Sequence, residues 1–283
     1  MNAEVYRRAM EYALPFGTPI ISHAEDCHLA RAGSMNEGLV STELGLSGQP
    51  AAAEDVMVAR DILLAELTGA HLHIAHISTA GAVRLVREAR ARGIRVTAEV
   101  TPHHLVLTDE AVRDYDPNVK MAPPLRGKRD VEALLEALAD GTIDCIATDH
   151  APHALSDKEG EFAEAANGVV GLETAVPVLL DRLVRTGRLD LPTLVARFTA
   201  GPARLLNLPG GSLASGAPAD ITILDPAVGS GAFLLGALEH VVSLTRRPQE
   251  TAASARRRVV VAWRRRPLSE EEVSATLKRR LLP

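Results

Sequence analysis

Ile143-Asp144-Cys145-Ile146-Ala147-Thr148-Asp149-His150-Ala151-Pro152-His153 is the stretch that decides how this chain is read. An apolar run follows the turn-like pair Asp140-Gly141 and stops in an acid, two histidines and a proline. A short apolar run bounded by turn residues reads as a buried strand. Packing alone gives no reason to end such a strand in Asp-His-x-Pro-His. In an α/β barrel, the C-terminal ends of the strands are where active sites are built. Asp149 can ligate a metal or move a proton, and His150 and His153 can hold a metal or a substrate.

The pattern outward from that strand alternates. Residues 3–14 read as a helix, and Thr18-Pro19-Ile20-Ile21-Ser22-His23 as a strand ending in His23. Residues 51–67 carry Val56, Ala59, Ile62, Leu63 and Leu67 at helical spacing. A strand is expected over 71–77, a helix over 80–92 closed by Gly93, and a strand over 94–101. Residues 118–121 read as extended, 130–138 as helical, and 172–186 and 192–206 as two further helices. Strands alternating with helices imply a parallel sheet with crossover connections. The expected class is α/β: a partial eight-stranded (β/α) barrel with about its last four strands, over residues 1–206. A remnant of a small flanking β domain is expected over 207–224, and a helical, arginine-rich tail over 225–283.

Composition narrows the function. Aromatic residues make up 3% of the 283, so the core must be built from Ala, Val, Leu and Ile. A formal net charge of −5 weighs against nucleic acid as a partner. Cys27 and Cys145 form no CxxC pair, which points to a reducing cytoplasm rather than a disulfide scaffold. The first residues contain no apolar signal core, and no apolar run approaches the length of a membrane span.

Polar groups gather at successive strand ends: His23 with Glu25 and Asp26, His76 with Ser78, His103-His104, then Asp149, His150 and His153. Imidazole and carboxylate ligands suit zinc and related divalent ions. Such an ion can activate water near neutral pH, and an adjacent carboxylate can move the proton. One histidine alone is weak evidence; the recurrence carries the argument. His71-Leu72-His73 looks like a metal pair, but it lies at the wrong end of its strand and reads as structural. Cys145, flanked by apolar residues, reads as an inert core thiol.

These residues resemble the amidohydrolase superfamily and, within it, the dihydroorotases. Ala147-Thr148-Asp149-His150-Ala151-Pro152-His153 followed by Lys158 is similar to that family's signature. So are His23-Ala24-Glu25-Asp26, Met35-Asn36-Glu37-Gly38, His76-Ile77-Ser78-Thr79, Glu99-Val100-Thr101-Pro102-His103-His104, Pro123-Pro124-Leu125-Arg126 and Gly171-Leu172-Glu173-Thr174. Gly216-Ala217-Pro218-Ala219-Asp220-Ile221 resembles the return strand of the flanking β domain. Hydantoinases and allantoinases share the fold, but Thr-Pro-His-His and Asp-His-Ala-Pro-His favour dihydroorotase. The resemblance implies reversible ring closure of N-carbamoyl-L-aspartate to dihydroorotate, a step of pyrimidine synthesis, at a binuclear zinc site. It implies that His23 and His76 ligate one zinc. Asp149 would ligate the other and act as general base and acid. His153 would meet the substrate carboxylate, and backbone at Asn167-Gly168 would touch the substrate.

The sequence departs from that family in four places. Ala122 stands where an asparagine usually binds substrate ahead of Pro-Pro-Leu-Arg, and Ala166-Asn167 replaces a usual Pro-Phe pair. The first-strand HxH, the arginine that follows it and a bridging acid have no counterpart before His23, so the chain is expected to be a C-terminal half with part of the ligand set. Asp225-Pro226-Ala227-Val228-Gly229-Ser230-Gly231-Ala232-Phe233-Leu234 resembles the cofactor loop of DNA adenine methyltransferases, whose Pro-Pro-aromatic partner motif is absent. A junction between unrelated segments near Leu224-Asp225 explains that better than methyltransferase activity. The arginine runs beyond it read as a solvated tail. A rival to catalysis is a dihydroorotase-like subunit that supports a partner such as aspartate transcarbamoylase; a homodimer is a further expectation.

Overall fold

The computed structural model describes residues 2–31 and 33–211, and the backbone of 221–225 and 259–263. Two compact units divide at Gly211–Ser212. In the first, the strands are β1 (Ile20–Ser22), β2 (Met35–Asn36), β3 (Gly48–Gln49), β4 (Leu72–Ile74), β5 (Val96–Val100) and β6 (Cys145–Ile146). The main sheet has four strands in the order β1-β4-β5-β6, and every pair is parallel. β2 and β3 form a separate parallel pair that the sequence reading did not anticipate.

Helices Ala52–Thr68, Ala80–Ala91 and Lys128–Asp140 lie between successive strands of this sheet in the chain. Their ends follow local rules. The Thr79 side chain accepts from Ala82 N and caps the helix at Ala80–Ala91. Gly69, at φ 72, closes Ala52–Thr68 in the left-handed conformation that glycine adopts without steric cost.

The two faces of the sheet differ. On β5, Val96, Ala98 and Val100 are buried while Thr97 and Glu99 are half-buried. The buried set, with Leu72, Ile74 and Ile146, packs on Val58, Ile62, Val83, Val86, Leu134 and Leu138 of the three helices. Each fully buried Leu or Ile of this kind contributes about 1.5–3 kcal/mol. The opposite face presents His73, Thr97, Glu99 and Cys145 in register, while Ile21 on β1 is 58% exposed.

Several sequence expectations need correction. Residues 117–119 form a 3-10 turn rather than an extended segment. Pro117 sets φ, and the Asp116 side chain accepts from Asn118 N. The helix expected over 172–186 starts only at Ala175 and runs into a π turn at Leu180–Val184. Pro177 forbids an earlier start, because its ring would meet the Glu173 carbonyl. The helix expected over 192–206 is two, Leu191–Phe198 and Ala200–Leu205, broken at Thr199 with ψ −78. There Pro202 would meet the Phe198 carbonyl. Gly201 is needed at this corner, since a Cβ on it would lie 2.4 Å from Asp144 O.

In the second unit, β7 (Ile221–Asp225) and β8 (Val259–Trp263) pair in parallel register. The tail expected to be helical therefore holds a strand, where Val259-Val260-Val261 supplies a β-branched run. Residues 226–234, expected to resemble a methyltransferase cofactor loop, and the arginine runs lie outside the described residues. No helix among the described residues is long and apolar enough to cross a membrane.

Candidate active site

His23 directly follows β1, and His76 lies two residues beyond β4, its hydrogen-bonded neighbour. His23 Nδ1 lies 2.9 Å from His76 Nε2, and the rings meet edge to face at 4.7 Å between centroids. His23 is exposed and His76 is 9% exposed, so the pair opens to solvent on one side. Burial, then the neighbouring His23, holds the His76 imidazole below its usual pKa, so it is a neutral donor at pH 7. The carboxylate of Asp149 pulls the other way, which places Asp149 within electrostatic reach of His76.

The backbone is strained at both positions. His76 sits at φ 33 and Asp149 at φ 45, left-handed conformations that cost a non-glycine residue about 1 kcal/mol or more each. Such strain gathers where side-chain placement matters more than local stability.

This pair fits a zinc-class ion. Two nitrogens on one tetrahedral zinc, with bonds of about 2.0–2.1 Å, lie about 3.3 Å apart. The 2.9 Å between His23 and His76 needs only a small adjustment. The buried His76 Nδ1 has no hydrogen-bond partner, an orphaned polar atom at the site. Asp149, His23 and His76 are not drawn together as a three-donor group within 4.8 Å. Among the described residues that holds only for His73, Glu99 and Cys145.

The remaining expected residues sort by what they touch. His150 Nδ1 accepts from Gly171 N at 3.0 Å and Leu172 N at 3.3 Å, so it anchors the following loop. His153 Nε2 donates to Asn167 O at 2.8 Å and lies exposed over Gly168. Gly168, at φ 154, admits no Cβ: one would lie 2.4 Å from Ala151 O and 2.8 Å from His153 Nε2. The structure thus brings His153, Asn167 and Gly168 together. Lys158 Nζ donates to Pro117 O, Ala166 O and Gly168 O at 2.8–2.9 Å, clamping that loop. Lys120 Nζ donates to Ala163 O and Ala165 O at 2.7 Å, and Gly168 N donates to Lys120 O at 2.9 Å. Ala122 is half-buried and offers only a methyl group, so it makes no side-chain hydrogen bond.

The two adjacent histidines have different tasks. His104 Nε2 donates to Pro123 O at 3.0 Å and its Nδ1 lies 2.7 Å from Thr101 Oγ1, so it is a satisfied core residue. His103 is 5% exposed and its Nε2 has no partner. Burial, reinforced by His76, pushes its imidazole down to about 4. A cleft of about 700 Å³ runs past His103 between Pro102–Leu107 and Val169–Arg182, with mostly apolar walls.

A network that the sequence reading missed supports the loop after His76. Glu54 accepts from Ser78 N at 2.8 Å, from the Ser78 hydroxyl, and from Thr79 N at 3.3 Å. Arg126, 1% exposed, donates from Nε to Ser78 Oγ at 3.0 Å and from Nη1 to Asn36 Oδ1 at 3.2 Å and Gln49 O at 2.9 Å. Asn36 Nδ2 in turn donates to Asp109 Oδ2 at 2.8 Å. The Met-Asn, Ser-Thr and Pro-Pro-Leu-Arg stretches, far apart in sequence, are therefore one buried scaffold around His76. Asn36, Ser78 and Arg126 each stand in a motif stretch, but nothing local in the sequence links them to one another or to Glu54.

Known proteins resemble this chain in sequence and in fold. The profile of the amidohydrolase family matches residues 2–254. The chain is 58% identical to the dihydroorotase of Syntrophus aciditrophicus over 226 residues, which is 80% of this chain and 53% of that protein. It is 59% identical to the dihydroorotase of Pelotomaculum thermopropionicum over the same shares. Among solved structures it is similar to the L-hydantoinase (dihydropyrimidinase) of Arthrobacter aurescens. The TM-score is 0.69 and the identity 29%, with 78% of this chain and 51% of that one covered. The dihydropyrimidinase of Brevibacillus agri is similar at TM-score 0.67 and 27% identity, over 76% and 50% of the two chains. The chain spans about half the length of the curated relatives it matches.

Proposed function

We propose, because the chain belongs to the amidohydrolase family, that it is the C-terminal part of a zinc-dependent dihydroorotase, the half barrel carrying the later ligand strands. The reaction is reversible closure of N-carbamoyl-L-aspartate to dihydroorotate. The observation that carries this reading is the convergence of His23 Nδ1 and His76 Nε2 at 2.9 Å just beyond the ends of neighbouring parallel strands, within electrostatic reach of Asp149. Identity of 58% to a dihydroorotase over 226 residues supports the substrate.

His23 and His76 would hold one zinc ion, and Asp149 a second. When bound, zinc polarises the amide carbonyl and makes water a better nucleophile. Asp149 takes the proton from the attacking water and returns it to the departing ring nitrogen, or the reverse in the closing direction. His153 and the Asn167-Gly168 backbone face the substrate carboxylate, and Lys158 keeps that backbone in place. The methyl of Ala122 leaves substrate binding to these remaining contacts.

The test is a zinc-supplemented assay of the purified chain. Loss of dihydroorotate absorbance is followed beside dihydrouracil, hydantoin and allantoin. Turnover of dihydroorotate, abolished by Asp149→Asn, supports the reading. Turnover of hydantoin or dihydrouracil instead would replace it with the chemistry named for the solved relatives. No turnover, with zinc content unchanged by His23→Ala/His76→Ala, would favour the non-catalytic subunit. Co-purification with aspartate transcarbamoylase then becomes the next measurement.

A further inference from the structure

His73, Glu99 and Cys145 each offer one ligand atom, and the three atoms lie within 4.8 Å of one another. They come from three adjacent strands. His73 pairs with Thr97, Glu99 stands two residues further along β5 on the same face, and Glu99 pairs with Cys145. None of the three belongs to the His23–His76 pair. We propose that they form a second binding site for one zinc-class divalent cation, with imidazole nitrogen, carboxylate oxygen and thiolate sulfur as its protein ligands.

The donor chemistry selects the ion. A sulfur ligand excludes magnesium and calcium as intended occupants, while N, O and S together suit zinc and its cobalt analogue. A tetrahedral ion with bonds of about 2.0–2.3 Å separates such donors by about 3.3–3.6 Å. Contraction of at most about 1.2–1.5 Å from the outer limit of 4.8 Å would close the site. His73 is already oriented. Its Nδ1 lies 2.9 Å from Thr97 Oγ1 and its Nε2 lies 3.1 Å from Glu99 Oε2. A hydrogen-bond partner on the second ring nitrogen is the usual support of a ligating histidine. His73 and Cys145 are 0% and 2% exposed, and the Glu99 side chain, 19% exposed, gives the way in.

Binding balances without redox chemistry. The Cys145 S–H bond breaks, its proton leaves to solvent, and the sulfur pair passes to the metal. The His73–Glu99 hydrogen bond is given up as the imidazole proton moves from Nε2 to Nδ1, where Thr97 Oγ1 accepts it. One thiolate and one carboxylate neutralise the two charges of the ion, which makes burial of the cation tolerable.

Cobalt(II) titration of the full chain carrying Cys27→Ser tests this. A thiolate-to-cobalt charge-transfer band in the near ultraviolet is expected at about one equivalent, displaced by zinc. It should vanish with Cys145→Ser and weaken with Glu99→Gln or His73→Gln, which leave the sulfur in place if Cys145→Ser fails to fold. It should persist in His23→Ala/His76→Ala, because that pair contains no sulfur; the outcome is thus separate from the dihydroorotase reading. The proposal is overturned by a folded Cys27→Ser chain that shows no sulfur band. A band that survives Cys145→Ser, or one lost with His23→Ala/His76→Ala, overturns it too.

Discussion

Replacing His103 by Phe should flatten the acid side of the stability curve. The His103 ring is 5% exposed, lies tilted against His104 with 4.6 Å between ring centroids, and leaves Nε2 without a partner. Its pKa falls from 6.5 to about 4, mainly through burial and then through His76. The unfolded chain therefore binds a proton that the folded chain refuses between those values. Stability from this group is fully present above pH 6.5 and is lost as pH falls through about 4. A gap of 6.5 to about 4, at about 1.4 kcal/mol per unit, comes to about 3 kcal/mol. Urea unfolding near pH 7.5 and near pH 3.5, with chelator present so that no metal competes for the imidazoles, measures it. His103→Phe should reduce the difference in unfolding free energy between the two pH values by about 3 kcal/mol. His104 remains in both proteins and cancels. An unchanged difference would refute the reasoning, because it would mean that His103 titrates normally in the folded chain.

Three further outcomes follow from the same structure. Arg126→Met leaves the Glu54 carboxylate buried without its cation and should destabilise by about 3–5 kcal/mol in urea titration. Burial already pushes the Glu54 carboxyl up, so this loss should be smaller in acid, where the carboxyl is protonated. Gly168→Ala should displace the His153 ring, because the new Cβ would lie 2.8 Å from its Nε2. A cost of about 1–3 kcal/mol and weaker substrate binding are expected, read by thermal melting and by KM. Lys158→Met frees three carbonyls and should cost about 2 kcal/mol. Limited proteolysis should then cut the loop over 154–170 faster than in the unaltered chain.

The alternation of apolar strands and amphipathic helices, the parallel order and the strand-end polar groups were legible from residue spacing. Spacing is what sets which side of a strand or helix a residue faces. His23, His76 and Asp149 stood out for that reason. Breaks in helices were less legible. Pro177 and Pro202 act on carbonyls four residues earlier, so their effect falls away from where they are seen.

Partner identity was not legible at all. His73 and Cys145 read as structural until three strands set them beside Glu99. His150 read as a ligand candidate, yet its Nδ1 serves the Gly171 amide. Arg126, Glu54 and Asn36 span 90 residues between Asn36 and Arg126, and nothing local links them. The sequence by itself determined the α/β alternation and the kinds of side chain at the strand ends, because periodicity and residue chemistry are local properties. Only the tertiary structure decided which of those side chains share a proton or a charge, because that depends on strand register and on distances of about 3 Å between residues remote in the chain.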